Sequence, residues 1–367
     1  MRVVIAGGGT AGHVFPALAL ARRLAAGGHE VRFAGTSQGQ EARLVPMAGF
    51  GFVEVQARPF LRELSLRAAV APIAAVRSVG RLRPLVGASD VVVGMGGYVS
   101  VPVALAALRA GRPLVLHEQN AVPGLANRVL ARAARSVGVA FAEAIRGLPR
   151  RANVIVTGNP VREEILAVVG DRERLAKEAA EELGLDAGRR TVVVFGGSQG
   201  ALHLNRSTVE AVPRLSGSDV QLVLLTGPAH ADRVRAALGP EPRVPVRVLA
   251  FLERMELAYA VADLVVARAG ATTVAEVATC GVPSVLIPYP YATGRHQEAN
   301  ARALQRAGGA WVLLDDELDG EVLADRIVTL LDDPDLRRSM GERARAWSRP
   351  DAAEALAALV VEAGVDP

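Results

Sequence analysis

The sequence contains one cysteine, Cys280, among its 367 residues, so no disulfide can form within the chain. A chain without disulfides fits a reducing compartment. Cys280 ends an apolar helical run that begins at Val274, and packing in the interior explains it better than a role as nucleophile. The sequence therefore favours neither a disulfide scaffold nor cysteine chemistry.

Aromatic residues are also scarce, at 4% of the chain, whereas hydrophobic residues make up 50%. Val, Leu, Ala and Ile must then fill the core, a bias that suits parallel strands buried on both faces. The length exceeds one ordinary domain and suits two.

Long apolar runs are absent as well, since none reaches the ~18 residues of a transmembrane helix. The chain enters a predicted strand at Arg2–Ala6 without the apolar region of a signal peptide. We therefore expect a cytoplasmic protein that is soluble or peripheral to a membrane.

The sequence shows no metal-binding pattern. Its histidines are scattered without zinc spacing, and no Asp-x-Asp pair is present to hold Mg²⁺ against a diphosphate. We predict no metal and no cofactor.

Positive charge is concentrated in the first part of the chain. Residues 1–160 carry 19 Arg and 7 acids, about +12, whereas the remainder carries 23 Arg or Lys and 31 acids, about −8. This asymmetry predicts an anionic partner surface for the N-terminal half.

Short Val- and Ile-rich runs alternate with longer helical patterns, which is typical of a parallel α/β sheet. The chain opens with a strand, a glycine turn and a helix start at Arg2–His13, and the same order recurs at Thr191–Ala201. We predict two Rossmann-like domains facing a central cleft, with Pro160 near the boundary. The expected segments are 1–160, 161–340 and a helical segment 341–367 that packs back on the first domain. Strands are expected near Val3–Ala6, Glu30–Ala34, Val91–Val93, Pro113–His117, Ser136–Val139, Val154–Val156, Thr191–Phe195, Gln221–Thr226, Val246–Ala250, Leu264–Val266, Ser284–Ile287 and Ala310–Leu313.

Gly7, Gly9 and Gly12 match the G-x-G-x-x-G loop that lets a phosphate approach the backbone. A dinucleotide site also needs an acid at the end of the second strand, and Phe33–Ser37 contains none, so we do not expect NAD or FAD. His13, one residue past the loop, is either a general base or phosphate contact, or a histidine that only packs or caps the helix.

The second glycine cluster, Gly196–Ala201, repeats this pattern, and Ser198 adds a hydroxyl. A further helix start follows the strand at Leu264–Val266, where small residues let the helix dipole approach a leaving diphosphate. Glu276 lies on the same helical side as Thr272 and Thr273, where a carboxylate can accept both hydroxyls of a ribose.

Six motifs occur in a fixed order: Gly8–Val14, Gly94–Ser100, His117–Asn120, Gly158–Arg162, Gly196–Ala201 and Arg268–Glu276. With them, nearly the whole chain resembles the MurG family of UDP-N-acetylglucosamine transferases, which make lipid II from lipid I. The resemblance implies a GT-B fold, an inverting transfer and a donor site that needs no metal.

The resemblance also implies roles for individual residues. Uracil would lie near Phe251 and Leu252, Glu276 would hold the ribose, and Ser198 with the helix start would hold the diphosphate. That helix start comprises Ala271, Thr272, Thr273, Val274 and Ala275. Gln297 and Asn300 would read the sugar hydroxyls. The GlcNAc would also be reached by Thr10, Ala11, Gly12, Asn120 and Arg162.

The acceptor diphosphate would bind near His13 and the loop containing Gly94, Gly96, Gly97 and Tyr98. His13 is the first candidate for the catalytic base and Glu118 the second. His296 stands where the family often has glutamine, so its role stays open. Two alternatives remain: a nucleotide-sugar epimerase of the same fold, and a non-catalytic UDP-sugar-binding subunit.

Residues 58–86 interleave six arginines with apolar side chains. This pattern favours attachment to an anionic membrane surface, although a surface helix with an apolar core face would look similar. The segment has one aromatic residue and no nucleic-acid motif, so we expect no nucleic-acid partner. The expected partners are UDP-GlcNAc, lipid I, the cytoplasmic membrane face, and proteins of cell-wall synthesis and division.

Overall fold

The computed structural model describes the chain except for residues 56–79, 81, 198–199 and 366–367, and the side chain of Ala11. The predicted membrane-facing segment falls largely on these residues and so lies outside the described part, as does Ser198. Of that segment, residues 80 and 82–86 are described, and they are helical.

The chain divides into two compact units. The first comprises Met1–Arg162 and Arg349–Pro367, and the second comprises Glu163–Ser348. The C-terminal residues therefore belong to the same unit as the N-terminus.

The first unit is built on seven strands: Arg2–Ala6 (β1), Glu30–Gly35 (β2), Gly51–Glu54 (β3), Val91–Gly94 (β4), Leu114–Glu118 (β5), Ser136–Val139 (β6) and Val154–Val156 (β7). Before the chain enters the second unit, the first unit contains the helices Ala11–Ala26 (α1), Glu41–Met47 (α2), Ser100–Arg109 (α3) and Leu125–Leu130 (α4). All seven strands pair in parallel in the order β3-β2-β1-β4-β5-β6-β7. The neighbours β1 and β4 mark the point where the strand order reverses.

The second unit has six strands: Arg190–Phe195 (β8), Val220–Leu225 (β9), Val246–Leu249 (β10), Leu264–Ala267 (β11), Ser284–Leu286 (β12) and Ala310–Val312 (β13). Its helices are Glu163–Leu183 (α5), Leu202–Ala211 (α6), Ala231–Leu238 (α7), Met255–Val261 (α8), Ala271–Cys280 (α9), His296–Arg306 (α10), Gly320–Asp332 (α11) and Pro334–Trp347 (α12). The strands are again parallel, in the order β10-β9-β8-β11-β12-β13. Here β8 and β11 flank the reversal.

All twelve strands predicted from the sequence are present, within a residue or so at each end. The sequence interpretation missed β3, which is four residues long, begins with Gly51 and lies at the edge of its sheet. An edge strand that is only partly buried lacks the continuous Val and Ile run that identifies the central strands.

The last helix, Ala352–Val365 (α13), packs against α1. Its buried side chains Leu356 and Val360 join the cluster formed by Val3, Ile5 and Val93 on one face of the first sheet. This helix therefore contributes to a core cluster of the first unit. Among the described residues, no helix is long and apolar enough to cross a membrane.

Candidate active site

Each sheet has a strand reversal, and ligands of open α/β sheets bind at the carboxyl ends of the strands at such a point. In the first unit, the Gly7–Thr10 loop leaves β1 and the Gly94–Ser100 loop leaves β4. Ser100 joins them, because its hydroxyl lies 2.9 Å from the Ala6 carbonyl and donates to it. The first glycine loop and the predicted acceptor loop are thus neighbours in the structure.

His13 lies on the first turn of α1 and is half-buried between these loops. Its Nδ1 is 2.8 Å from Oε1 of Gln119, the residue that follows β5. The backbone of Gly96 and Gly97 passes beside the imidazole, and both glycines have positive φ. The structure therefore brings together His13, Gly96 and Gly97, which the sequence had assigned to one site.

Tyr98 packs across the first glycine loop. A Cβ at Gly9 would lie 3.2 Å from Cε1 of Tyr98, and Gly9 itself has a φ of 88°. Glycine is favoured here both by the left-handed backbone and by the aromatic ring. Thr10 caps α1 through its extended backbone, and it is exposed together with Gly12 at the mouth of the loop.

The sequence interpretation missed Glu41, a carboxylate only 1% exposed behind the glycine loop. Its Oε2 accepts from the Gly9 N–H at 2.9 Å, and its Oε1 accepts from the Thr36 N–H and hydroxyl at 3.0 and 2.8 Å. The residues at the end of β2 contain no acid, and the buried carboxylate beside the loop comes from α2, which begins at Glu41. The signal was the glycine content around it, because a Cβ at Gly8, Gly35 or Gly39 would collide with Glu41.

Glu118 ends β5 and is 3% exposed. Its carboxylate accepts from the N–H groups of Asn120 and Gly124, both at 3.0 Å, and from the Asn127 amide at 2.8 Å. The Asn120 amide also lies 3.4 Å from this carboxylate. Glu118 thus fixes the turn that carries Gln119 and Asn120.

His117 is fully buried, and its Nε2 lies 2.9 Å from the Gly158 carbonyl, to which it donates. Burial lowers the pKa of His117 to about 4, because desolvation disfavours the imidazolium.

Arg162, the last residue of the motif that begins at Gly158, lies with its guanidinium 4.3 Å from the centroid of the Phe15 ring on α1. The predicted linker residue is therefore held against the helix that carries His13.

In the second unit, Gly196 and Gly197 follow β8, and α9 begins shortly after β11. Gly200 has positive φ and approaches the Thr226 carbonyl so closely that a side chain would collide with it. Gly270 caps α9 with extended backbone, and the first turn carries no acid. Ala271 is buried, whereas Thr272 and Thr273 are half-buried. The helix dipole here is suited to an anion.

Glu276 lies one turn further along α9 and is 5% exposed. The Tyr259 hydroxyl, from α8, donates to its Oε2 at 2.9 Å. Tyr259 is fully buried and packs edge-on against Phe195 at the end of β8. The predicted ribose ligand therefore has a fixed position, and the sequence interpretation did not identify the tyrosine that holds it. Val274 is buried beside Glu276, and Ala275 is half-buried.

The predicted sugar-reading residues lie on α10. The Tyr289 N–H donates to Oε1 of Gln297 at 2.9 Å, so the Gln297 amide presents its NH₂ group away from that contact. Asn300 is fully buried, and its amide donates to the Ala269 carbonyl at 3.2 Å, beside the start of α9. His296 donates from Nδ1 to the Thr293 carbonyl at 2.8 Å.

The segments that follow β10 and β11 lie at the same carboxyl-terminal edge of the second sheet. Phe251 is half-exposed and Leu252 partly buried in the segment after β10, where uracil was predicted. Arg268 is buried, and its Nη1 lies 2.5 Å from Oδ1 of Asp315. This ion pair, which the sequence interpretation missed, neutralises the arginine inside the unit.

Cys280 is buried, as expected for a packing role, and desolvation raises the pKa of its thiol far above the usual range. Within the described parts of the chain, no cluster of three or more His, Cys, Asp or Glu side chains could hold a metal ion.

Comparison with protein families finds two matches in this chain. Residues 3–139 match the glycosyltransferase family 28 N-terminal domain, and residues 191–356 match the C-terminal domain of that family. The chain belongs to glycosyltransferase family 28, in its MurG group. The transferase of Halothermothrix orenii named UDP-N-acetylglucosamine–N-acetylmuramyl-(pentapeptide) pyrophosphoryl-undecaprenol N-acetylglucosamine transferase is 41% identical, and the alignment covers 98% of each chain.

The crystal structure of Acinetobacter baumannii MurG superposes with a TM-score of 0.78 at 31% identity, covering 98% of this chain and 99% of that one. A putative UDP-N-acetylglucosamine 2-epimerase from Listeria monocytogenes superposes at 0.66 with 15% identity, over 96% and 93% of the chains. The second likeness shows the fold alone, so the epimerase alternative is not favoured. The family 28 chain has the GT-B class of fold, with two Rossmann-like domains, and it is a glycosyltransferase.

Proposed function

We propose that this family 28 enzyme transfers N-acetylglucosamine from UDP-GlcNAc to the 4-hydroxyl of the N-acetylmuramic acid of lipid I, giving lipid II for peptidoglycan synthesis. The observation that carries the proposal is the buried carboxylate of Glu276 one turn into α9, in a chain that is 41% identical to a named GlcNAc transferase. The transfer inverts the anomeric centre, because in a single displacement the acceptor oxygen attacks the face of the anomeric carbon opposite the departing UDP oxygen.

The donor binds at the strand reversal of the second unit. Glu276 accepts the ribose hydroxyls, and the first N–H groups of α9, with Thr272, Thr273 and Ser198, hold the diphosphate. As the glycosidic bond breaks, the electron pair goes to the UDP oxygen, and the dipole of α9 stabilises the negative charge. Uracil lies against Phe251 and the backbone of Leu252, and the Gln297 amide donates to the sugar hydroxyls.

The remaining predicted residues act on the N-terminal side. Thr10, Ala11, Gly12, Asn120 and Arg162 contact the GlcNAc, and the acceptor diphosphate binds near Gly94, Gly96, Gly97 and Tyr98. The half-buried position of His13 between two glycine loops supports this assignment, because glycines let a ligand approach the backbone closely.

His13 is the general base. The acceptor hydroxyl loses its proton to the His13 imidazole as its oxygen attacks the anomeric carbon. Glu118 fits this role poorly, because its carboxylate is buried and already accepts several hydrogen bonds from the turn that it supports. A base needs a lone pair within reach of the substrate proton.

Lipid I carries a polyprenyl chain, so the enzyme must work at a membrane. We propose that it binds the anionic cytoplasmic face as a peripheral protein, through the basic residues 58–86 and the excess of arginine in residues 1–160. Proteins of cell-wall synthesis and division are the expected neighbours there, whereas nucleic acid is not expected to bind.

The test uses radiolabelled UDP-GlcNAc with and without lipid I, and follows label into lipid and the release of UDP. We expect label in lipid only when lipid I is present, and at least a hundredfold loss of turnover for His13→Ala. His29→Ala is the matched control, because His29 precedes β2 at the opposite, amino-terminal edge of the same sheet. Release of UDP without label in lipid would contradict the transfer.

A further inference from the structure

Gln119 occupies a position from which it controls the chemistry of His13. It is 2% exposed, and its amide forms two hydrogen bonds, one through its NH₂ group and one through its oxygen. Its Nε2 lies 2.6 Å from the Met95 carbonyl, and its Oε1 lies 2.8 Å from His13 Nδ1. Only a donor can pair with a carbonyl, so the NH₂ group must face Met95. A flipped amide would place two oxygens against each other.

The fixed amide determines what His13 can do. Because the amide oxygen faces Nδ1 and can only accept, Nδ1 must carry a proton, in the neutral ring as well as in the imidazolium. In the neutral ring the lone pair is then on Nε2. A general base requires that lone pair, and free histidine prefers the opposite tautomer, in which Nε2 carries the proton.

The surroundings prevent either partner from turning away. Glu118 holds the turn on one side of Gln119, and the Gly96–Gly97 backbone packs against the ring of His13. A Cβ at Gly97 would lie 3.8 Å from Nε2 and 2.9 Å from the Gly8 carbonyl. Side chains at this position would therefore crowd the side of the ring that carries the lone pair.

We propose that Gln119 is the positioning residue that sets the tautomer of His13, with Met95 fixing the orientation of its amide. When the acceptor hydroxyl gives its proton to Nε2, the hydrogen bond from Nδ1 to Gln119 remains in place and supports the imidazolium. The proposal rests on the proposed function for its catalytic consequence, but the tautomer is a property of the free protein.

The test compares wild type with Gln119→Leu and Gln119→Glu. Leucine fills a similar volume without hydrogen bonding, whereas glutamate keeps an acceptor facing Nδ1. The tautomer of the neutral His13 ring is read from its ¹⁵N chemical shifts, with His13→Ala used to assign the signals. Turnover and KM for UDP-GlcNAc are measured with lipid I over a range of pH.

We expect the Nδ1-protonated ring in wild type and a largely Nε2-protonated ring in Gln119→Leu. Turnover should fall at least about tenfold in that variant, by analogy with the groups that orient metal-bound histidines, with KM for UDP-GlcNAc little changed. Gln119→Glu should keep the wild-type tautomer, because a carboxylate oxygen facing Nδ1 can only accept. Its second oxygen faces the Met95 carbonyl without a donor, so turnover should recover only in part. In this variant the acid limb of the pH profile of turnover should move to higher pH, because a carboxylate stabilises the imidazolium.

Three results would overturn the proposal: an Nε2-protonated ring in wild type, an unchanged tautomer in Gln119→Leu, or a changed tautomer with unchanged turnover. In the second case, a loss of turnover would indicate that Gln119 has only a structural role. If wild type shows no transfer to lipid I, the proposed function fails, while the ring signals still decide the tautomer.

Discussion

The two units have the same strand order around their glycine loops, but they place a buried carboxylate differently. In the first unit, Glu41 lies behind the loop and accepts the N–H of Gly9. In the second unit, Glu276 lies on the helix that starts beside the loop, and Tyr259 holds it. In the first unit, a carboxylate of the protein itself accepts from the glycine loop. Glu41 lies near the end of β2, the position at which a dinucleotide ribose binds in a dehydrogenase domain. The two units thus share a strand order but differ in which group their buried carboxylate accepts from.

The largest effect is expected for Glu41→Gln. The amide would turn a donor toward either Gly9 or Thr36, leaving buried N–H groups unpaired at a cost of about 3 kcal/mol in the free energy of unfolding. Trp311 and Trp347 both lie in the second unit, so tryptophan fluorescence in urea follows that unit while circular dichroism follows both. We expect circular dichroism alone to shift to lower urea.

The matched control is Glu54→Gln, because Glu54 accepts from the Ser37 hydroxyl on the exposed surface of the same sheet. Its stability should change by less than about 0.5 kcal/mol. If Glu41→Gln unfolds like wild type, the loop does not depend on its internal carboxylate.

The converse result is expected for Glu276→Gln. An amide can still accept from Tyr259, so we expect stability to change little, whereas loss of the charged acceptor should raise KM for UDP-GlcNAc about tenfold to a hundredfold. Glu210→Gln is the control, because Glu210 forms an exposed ion pair with Arg206 on α6. A large loss of stability with unchanged KM would assign Glu276 a structural role like that of Glu41.

This contrast also shows what the sequence could predict. Central strands and glycine loops were found because buried parallel strands leave long Val-rich runs and because tight turns need glycine. The edge strand β3 left no such run.

The supporting contacts could not be predicted for a different reason. Glu41, Gln119 and Tyr259 act through hydrogen bonds to groups 32, 106 and 17 residues away in the chain. Nothing in local spacing reports such pairs. Glu118 was the second candidate for the catalytic base, and only the structure reveals how many donors its carboxylate already accepts from.

Acid should weaken the first unit through His117, at the end of β5, whereas the equivalent strand β12 ends in apolar residues. The pKa of His117 is about 4 in the folded unit and about 6.5 when unfolded, so the unfolded chain binds the extra proton between these values. Stability is thus present above this window and lost as pH falls through it, by about 2 kcal/mol between about pH 7.5 and about pH 5.

Urea unfolding at several pH values, followed by circular dichroism and by tryptophan fluorescence, measures this dependence in each unit. His117→Gln, whose amide can still donate to Gly158, should lessen the dependence for the first unit only. An unchanged pH dependence in this variant would assign the acid sensitivity to other groups.

The smallest effect is expected for Tyr259→Phe. The ring still packs against Phe195, but Oε2 of Glu276 loses its donor at 2.9 Å. A carboxylate that is less firmly oriented should bind the ribose less well, and we expect KM for UDP-GlcNAc to rise about fivefold, or about 1 kcal/mol, with little change in turnover.

The decisive measurement repeats the comparison of Tyr259→Phe with wild type, using a 2′-deoxyribose analogue of the donor. If Tyr259 acts through Glu276 on the ribose, the effect of the substitution should shrink with the analogue, because the partner hydroxyl is missing. An equal effect on both donors would instead mean that Tyr259 supports only the packing between α8 and α9.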